Sequence, residues 1–186
     1  VFIGREAEIY QQNASKTGGW EGTRAFRIVK KTPRSQLITS FELEPVDGQP
    51  VADYQPGQYL AIWLKPEGFP HQEIRQYSLT GPCGSEGYLI CVGRETASRG
   101  GSRYVHETLR PGQKLTISAP CNLFPLVQAE RVLLLAAGIG ITPLYAMALQ
   151  LKAAGTPFTL HYYVKRRESA AFARELSRFG ECQIHT

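Results

Sequence analysis

The chain of 186 residues lacks an apolar run long enough to span a bilayer, and no secretory signal opens it. We therefore expect a cytoplasmic protein that has no membrane partner. The basic residues form no block either: the net charge is +5, but the densest cluster, Lys165-Arg166-Arg167, has only three residues. A nucleic-acid surface gathers Lys and Arg on one face among aromatic side chains, so we expect no nucleic-acid partner.

Cysteine and histidine are few and scattered. The four cysteines, Cys83, Cys91, Cys121 and Cys182, form no C-x-x-C pair and lack the spacing of an iron–sulfur loop. The four histidines are equally dispersed. We therefore predict no metal site, and free thiols of the kind found in a reducing compartment. No convincing nucleophile–His–acid set is present either.

The first position is not a methionine, and the only methionine is Met147. Residues 3–14 predict a helix with an apolar stripe that has no obvious partner in the rest of the chain. The stripe consists of Ile3, Ala7 and Tyr10. Residues 182–186 resemble a strand that stops early. We expect further chain on both sides.

After a Gly-rich linker over residues 15–23, short strands alternate with Pro and Gly turn signals. The predicted strands are 26–30, 38–45, 58–64, 76–80, 88–93 and 114–119. Six such strands, interrupted by one helix near residues 102–109, predict a small antiparallel β-barrel.

The pattern changes at Arg131. Residues 132–137 are an unbroken apolar run, typical of a strand buried on both faces. A helix comes next, then a strand over residues 158–164 and a second helix. That second helix is marked by Phe172, Leu176 and Phe179 and closed by Gly180. This order predicts a parallel sheet that begins but does not finish.

The predicted fold class is thus an antiparallel β-barrel followed by a truncated α/β parallel-sheet domain. We place a helix and linker at residues 1–23, the barrel at residues 24–127 and the partial α/β domain at residues 128–186.

The segment Gly138-Ile139-Gly140-Ile141-Thr142-Pro143 joins the apolar strand to its helix. Helix N-termini attract phosphate, and glycines let the backbone approach closely. We predict Thr142 as the helix N-cap and Pro143 as the first helical residue. The third glycine of the usual dinucleotide fingerprint is replaced by Pro143. Alone, the segment predicts a phosphate-binding turn or a plain tight turn, and its place after a parallel strand favours phosphate.

A second motif, Arg75-Gln76-Tyr77-Ser78, overlaps the start of the predicted strand over residues 76–80, with Gly57-Gln58-Tyr59 upstream. Because side chains alternate along a strand, Arg75 and Tyr77 share one face while Gln76 and Ser78 share the other. A guanidinium beside an aromatic ring suits a ligand that has both a phosphate and a flat ring system. An exposed strand with an ordinary cross-strand pair is the alternative.

In this order and separation the two motifs resemble those of the ferredoxin–NADP reductase superfamily, over nearly the whole chain. Residues 1–80 are similar to the reductase part of bacterial flavohemoglobins, most strongly in residues 2–10, 18–22 and 58–80. Residues 98–126 resemble the phthalate dioxygenase reductase type, especially in residues 98–106 and 118–126. The opening helix would then be the end of a globin domain.

The resemblance implies a role for each residue of the second motif. Arg75 would neutralise a flavin phosphate, Tyr77 would pack against the isoalloxazine, and Ser78 would hydrogen-bond near flavin N5, where hydride arrives. Tyr77 and Ser78 are therefore the catalytic candidates. Tyr59 and Gln76 would line the same site.

Gly101 and Ser102 are further candidates for the flavin phosphate, although Ser102 could instead be a plain N-cap. The flavohemoglobin-like part implies FAD, whereas the phthalate-type segment implies FMN. The nicotinamide dinucleotide would lay its pyrophosphate over residues 138–142. Lys165-Arg166-Arg167, unless it is only a solvated loop, favours NADPH, and Glu168 keeps NADH open.

The implied activity is hydride transfer from nicotinamide C4 to flavin N5, followed by release of single electrons. The leading hypothesis is an NAD(P)H-dependent flavin oxidoreductase module that serves a heme globin in a nitric oxide dioxygenase system. The alternative is the reductase component of an aromatic-ring or demethylating oxygenase, delivering electrons through a 2Fe-2S centre. A third hypothesis is a non-catalytic flavin-binding or interaction module, because the family's C-terminal Cys-Gly motif is absent.

Overall fold

The computed structural model describes residues 19–65, 72–84, 86–95 and 101–186. The predicted helix over residues 3–14, part of the predicted linker and residues 98–100 lie outside these ranges. The described elements follow in the order β1 (Thr23–Pro33), β2 (Ile38–Pro45), β3 (Gln58–Leu64), β4 (Glu73–Ser78), β5 (Tyr88–Gly93), α1 (Gly101–Glu107), β6 (Lys114–Ser118), β7 (Cys121–Asn122), β8 (Val132–Ala137), α2 (Ile141–Ala153), β9 (Phe158–Tyr163), α3 (Ala173–Leu176) and β10 (Cys182–His185).

Strands β1 to β7 form the predicted antiparallel barrel. They pair in the order β4-β3-β6-β1-β2-β5, with β7 added beside β3. A bridge between Leu79 and Ile90 joins the chain just after β4 to β5, so the sheet nearly closes. Alternate side chains of each strand point inward and form one core. Its largest members include Phe26, Ile28, Phe41, Leu43, Leu60, Ile62, Leu64, Ile90 and Ile117.

Strand β4 differs from the predicted strand over residues 76–80. It begins at Glu73 and ends at Ser78, because its register with β3 runs from Leu64 opposite Glu73 to Tyr59 opposite Ser78. Pairing with the full length of β3 therefore extends β4 toward the N-terminus, to the polar residue Glu73. Strand β7 was not predicted, because two residues give no detectable alternation.

Strands β8, β9 and β10 form a parallel sheet with β9 in the centre, which confirms the predicted α/β sheet. Helices α2 and α3 pack on one face of it. The apolar side chains shared by the sheet and the helices include Leu134, Leu160, Tyr162, Leu144, Met147, Leu151 and Leu176. The predicted boundaries at residues 24–127 and 128–186 stay predictions, although the two sheets fall on either side of residue 128.

The prediction that β8 is buried on both faces is wrong for the described structure. Leu133 and Leu135 point away from the helices and are 62% and 61% exposed. The described helices cover only the face formed by Leu134 and Ala136, and an unbroken apolar run cannot reveal how many faces are covered.

The second predicted helix is also shorter than its apolar pattern indicated. Phe172 has a φ of 60°, a left-handed conformation that cannot continue a helix, and α3 ends at Leu176. Phe172 stacks on Tyr145 with ring centroids 4.3 Å apart, and Phe179 stacks on the same ring. Phe172 and Phe179 are therefore spaced for contacts with Tyr145 rather than for one helix face.

The barrel and the α/β sheet make direct contact. Ile38 and Cys91 of the barrel are members of the second core. Arg34, between β1 and β2, places Nη1 3.4 Å from Glu175 Oε1 and its guanidinium 5.4 Å from the Phe172 ring centre. Among the described helices, none combines the length and the apolar character needed to cross a bilayer.

Gly57 offers a test of the packing between the barrel and the segment after β7. Its φ is +92°, and a Cβ there would lie 1.8 Å from the Phe124 carbonyl oxygen. Gly48 has a similar φ of +67° but no atom within 4 Å of a Cβ. Left-handed backbone costs a non-glycine residue about 1–2 kcal/mol, and overpacking adds roughly 1–3 kcal/mol.

We expect Gly57→Ala to lower the free energy of unfolding by roughly 2–5 kcal/mol, and Gly48→Ala by only about 1–2 kcal/mol. Urea unfolding of the two variants and the parent chain measures this difference. Equal losses in the two variants would show that the contact with Phe124 is not a steric constraint.

Candidate functional site

The register of β4 against β3 determines which of the predicted site residues share a face. The cross-strand pairs are Tyr59–Ser78, Leu60–Tyr77, Ala61–Gln76 and Ile62–Arg75. Arg75 and Tyr77 therefore share one face, and Gln76 and Ser78 share the other, as the alternation predicts. Tyr59, buried on the second face, lies directly opposite Ser78.

Tyr77 provides a partly buried aromatic ring at this position. It packs against the barrel core, and Gln76 beside it is exposed. Burial raises the pKa of Tyr77 to about 12, although nearby Arg75 acts in the opposite direction. The phenol is therefore neutral at physiological pH and can serve as a flat, uncharged packing surface.

Arg75 lies against the start of α1. Its Nη2 donates to Glu73 Oε2 at 2.6 Å, and its Nη1 donates to the Ile74 carbonyl at 3.0 Å. A Cβ at Gly101 would lie 3.1 Å from Arg75 Nε and 3.4 Å from Glu73 Oε2. Two predicted phosphate candidates, Arg75 and Gly101, are thus brought together from separate parts of the sequence.

Sequence reasoning missed Glu73. The available signal was strand periodicity, because Glu73 lies two residues before Arg75 and therefore on the same face. It was overlooked because the predicted strand began three residues too late.

Ser102 does not open the helix, since α1 begins at Gly101. The Ser102 hydroxyl accepts a hydrogen bond from the Glu95 backbone N–H at 3.2 Å. The plain N-cap alternative is therefore wrong: the hydroxyl holds the chain after β5 rather than the first turn of its own helix.

The C-terminal end of α1 is attached to the barrel. Lys31 Nζ donates to the His106 carbonyl at 2.6 Å and to the Leu109 carbonyl at 2.9 Å. Burial, with a smaller effect from Arg110, lowers the pKa of Lys31. The His106 ring also lies 3.1 Å from the Val92 carbonyl oxygen. These contacts fix α1, and so Gly101, relative to β4.

The Gly-rich turn differs in detail from the prediction. Gly138–Gly140 forms a 3-10 turn directly after β8, and α2 begins at Ile141 with Gly140 as its N-cap. Thr142 and Pro143 are therefore the second and third helical residues. The predictions of Thr142 as N-cap and of Pro143 as the first helical residue are both wrong. The 3-10 turn places Thr142 inside the first turn, where its hydroxyl donates to the Ile139 carbonyl at 3.0 Å.

This turn is open to solvent. Gly138 has a φ of +50°, which favours glycine, whereas the φ of Gly140 is an ordinary −61°. A Cβ at either position would meet no atom within 4 Å. The backbone of the turn is thus accessible to a ligand, as the phosphate-binding interpretation requires.

The turn lies beside the barrel strand that adjoins β4. A Cβ at Gly93, the last residue of β5, would lie 3.5 Å from Ile139 Cβ. Ile90 of the same strand bridges to Leu79, next to Ser78. Three residues of strand span about 10 Å, so the turn and the end of β4 lie near each other along β5.

The grooves and the other charged or metal-ligating side chains of the described residues lie apart from this site. Two surface grooves, of about 500 and 400 Å³, are lined mainly by residues after β7 and by α2, and neither includes Arg75, Tyr77, Ser78 or the glycines of the turn. Within the described residues, no group of three or more His, Cys, Asp or Glu side chains could hold a metal ion. Lys165, Arg166 and Arg167, after β9, are exposed.

Comparison with known proteins decides the family. No protein-family model matches the chain. Over 183 residues it is 40% identical to a flavohemoprotein of Deinococcus radiodurans, covering 96% of this chain and 45% of that protein. Its structure matches the flavohem-like FAD/NAD-binding domain of a nitric oxide dioxygenase from Vibrio cholerae, with a TM-score of 0.81 and 36% identity, over 87% of this chain and 73% of that one. The chain belongs to the ferredoxin–NADP reductase superfamily.

A second structural match agrees with the other predicted resemblance. Phthalate dioxygenase reductase aligns with a TM-score of 0.79 and 34% identity, over 88% of this chain and 51% of that one. The suspected superfamily, the fold class and the assignment to a family of oxidoreductases are therefore confirmed. The chain spans about half the length of the curated relatives it matches, 45% and 48% in two flavohemoproteins.

Proposed function

We propose that this chain is an NAD(P)H-dependent reductase module that holds FAD along β4 and a nicotinamide dinucleotide at the turn after β8. The observation that supports this most is the convergence of Arg75 on Gly101, with Tyr77 and Ser78 next along the same strand. The flavohem-like domain it matches is named as an FAD/NAD-binding domain, which supports both cofactors.

The residues of β4 fit a flavin nucleotide. Arg75 would neutralise a phosphate, and the absence of a side chain at Gly101 lets the backbone of α1 lie directly against the guanidinium. Tyr77 would pack its neutral ring against the isoalloxazine, and Ser78 would hydrogen-bond the edge of that ring. Tyr59 and Gln76 would line the same face as Ser78, and Ser102 would lie near the phosphate.

The turn after β8 would hold the pyrophosphate of the nicotinamide dinucleotide. Gly138, Ile139 and Gly140 expose their backbone there, and Ile141, Thr142 and Pro143 continue it as the first turn of α2. The exposed cations Arg166 and Arg167 support NADPH, while Glu168 beside them is compatible with NADH. Bound together, the two cofactors would supply hydride transfer, and the protein would supply position and electrostatics.

The electron acceptor we propose is a heme globin, in a flavohemoglobin-like nitric oxide dioxygenase system. The 40% identity to a flavohemoprotein over nearly the whole chain supports it. A 2Fe-2S acceptor is the second candidate, because phthalate dioxygenase reductase is described as transferring electrons from pyridine nucleotides to a 2Fe-2S centre. All four cysteines are free thiols, which supports a cytoplasmic location.

Anaerobic mixing of the FAD-loaded chain with NADPH, and separately with NADH, tests the proposed activity. We expect the visible absorbance of the bound flavin to bleach. Retention of FAD without bleaching by either dinucleotide would instead favour a non-catalytic flavin-binding module.

Arg75→Ala should weaken FAD binding by roughly 10- to 100-fold, because a charge-assisted hydrogen bond contributes about 1.5–3 kcal/mol. Quenching of flavin fluorescence by the flavin-stripped protein gives the affinity. Lys30→Ala is the matched control, since it removes an exposed cation that pairs with Glu42 elsewhere on the barrel. An unchanged FAD affinity in Arg75→Ala would contradict the phosphate assignment.

Gly140→Ala should leave the chain as stable as the parent within about 1 kcal/mol, because its φ is ordinary and no atom lies near a Cβ. We expect nicotinamide dinucleotide binding to weaken at least about tenfold, because a methyl group would keep the pyrophosphate from the backbone. Calorimetric titration with NADPH and NADH, beside thermal unfolding, separates the two effects. Undiminished binding of both dinucleotides would count against this turn as the pyrophosphate site.

A further inference from the structure

Strands β2 and β5 direct their outward-facing side chains toward the α/β sheet. Phe41 of β2 and Ile90 of β5 point into the barrel core, so the neighbouring Ser40 and Cys91 point out of it. An outward face of an antiparallel sheet can meet solvent, yet Ser40 and Cys91 are only 1% and 2% exposed. Cys91 belongs to the core shared with the α/β sheet and its helices. Its burial therefore depends on how that sheet lies against the barrel.

Arg34, in the turn between β1 and β2, extends across this contact. Its Nε donates to the Ser40 hydroxyl at 2.8 Å, and the hydroxyl in turn donates to the Thr32 carbonyl at 3.3 Å. The same guanidinium pairs with Glu175 and lies over the ring of Phe172. Arg34 is thus fixed by a buried group of the barrel at one side and holds the start of α3 at the other.

Phe172 connects Arg34 to the helix that begins at the Gly-rich turn. Its ring stacks on Tyr145 of α2 with an interplanar angle of 9°. Tyr145 lies about one helical turn after Ile141, where α2 begins. Residues 138–142 are the proposed pyrophosphate site. A continuous set of packed side chains therefore leads from the barrel to the helix that carries this site.

This contact is distinct from the one between Ile139 and Gly93, because it uses a different turn of the barrel and a different part of the α/β sheet. A single contact between two units leaves them free to rotate about it, whereas two separate contacts restrict that rotation. Relative motion of two such units is the default unless their interface is large and apolar. Arg34 supplies a second contact that restricts it.

We infer that Arg34 is a positioning residue that holds α2 and the Gly-rich turn in place relative to β4. The two proposed cofactors would then meet in the geometry that hydride transfer requires. This inference rests on the proposed function and adds a residue that acts on it through Phe172 and Tyr145 rather than by touching a cofactor.

Thiol labelling of the flavin-free chain tests the contact independently of activity. Burial raises the pKa of the Cys91 thiol to about 12, so this thiol reacts slowly while the contact is closed. Arg34→Gln should raise the labelling rate of Cys91 roughly fivefold, because loss of an ion pair and a cation–π contact favours local opening. Cys121, which is buried beside Tyr59 and Ala61 of β3, should be labelled at the wild-type rate. Mass spectrometry of the digested protein identifies the labelled cysteine.

Arg24→Gln is the matched control. Like Arg34, Arg24 forms an ion pair and lies over an aromatic ring, with Asp47 and Trp20 as its partners. Trp20 packs against the barrel core and Asp47 follows β2, so both contacts lie on the barrel. The labelling rate of Cys91 should be the same in Arg24→Gln as in the wild-type chain.

Anaerobic reduction of the FAD-loaded chain by NADPH or NADH tests the consequence for the proposed reaction. In Arg34→Gln the limiting rate at saturating dinucleotide should fall on the order of tenfold, because small displacements of reacting groups slow a reaction strongly. The affinities for FAD and for the dinucleotide should stay within about twofold of the wild-type values, since the proposed contacts to both remain. Arg34→Lys, which keeps a cation near Phe172, should recover part of the rate. A residue that only supports the fold would not produce a loss confined to the limiting rate.

Faster labelling of Cys91 together with a lower limiting rate supports the inference. Unchanged labelling of Cys91, equal acceleration at Cys121, or an unchanged limiting rate would overturn it and leave the proposed function intact. A wild-type chain whose flavin is reduced by neither dinucleotide would overturn both. If Arg34→Gln does not fold, Glu175→Gln, which removes the same ion pair from the other side, decides between these outcomes by the same measurements.

Discussion

The pairing register between β3 and β4 is the constraint on which the candidate site depends. It sets Tyr59 opposite Ser78 and directs Arg75 and Tyr77 to the opposite face. Because the side-chain period of a strand is two, a slip of one residue would exchange these faces. Buried side chains of β3 alternate between the barrel core and a small cluster formed by Tyr59, Ala61 and Cys121, and this alternation resists such a slip.

The register alone does not position the Gly-rich turn relative to β4. That position depends on the contact between the barrel and the α/β sheet. Ile139 of the Gly-rich turn lies against Gly93 of β5, and Arg34 pairs with Glu175 and covers the ring of Phe172. Both contacts join the barrel to segments that flank the strands of the α/β sheet. They hold the turn at a fixed place along β5, whose bridge to Leu79 leads back to Ser78. The two proposed cofactors would have to meet in a defined geometry to exchange hydride, and this contact would help to fix it.

Much of this arrangement follows from local sequence, because alternation and turn signals act over a few residues. The sequence alone predicts Arg75 and Tyr77 on one face, a parallel second sheet and the glycine turn after its first strand. The predictions that were wrong concern features that depend on the rest of the fold. Leu133 and Leu135 are exposed because no described helix covers their face of the sheet, and an apolar sequence cannot show which face a helix will cover.

The predicted start of the helix after the glycine turn was wrong for a related reason. Thr142 is a good N-cap residue by type, but a preceding 3-10 turn, which has no strong signature, moves the start of the helix. Glu73 was missed because its membership of β4 comes from pairing with β3 rather than from its own propensity.

The two resemblances within the sequence meet at one point of the structure. Glu73 and Arg75 belong to the stretch similar to flavohemoglobins, which implies FAD, and Gly101 and Ser102 belong to the stretch similar to phthalate dioxygenase reductase, which implies FMN. The side chain of Arg75 lies against Gly101, so both stretches would contact the same phosphate. Glu73 adds a carboxylate at that contact, so the flavohemoglobin-like stretch supplies both charges there and the phthalate-type stretch supplies the backbone against which they lie.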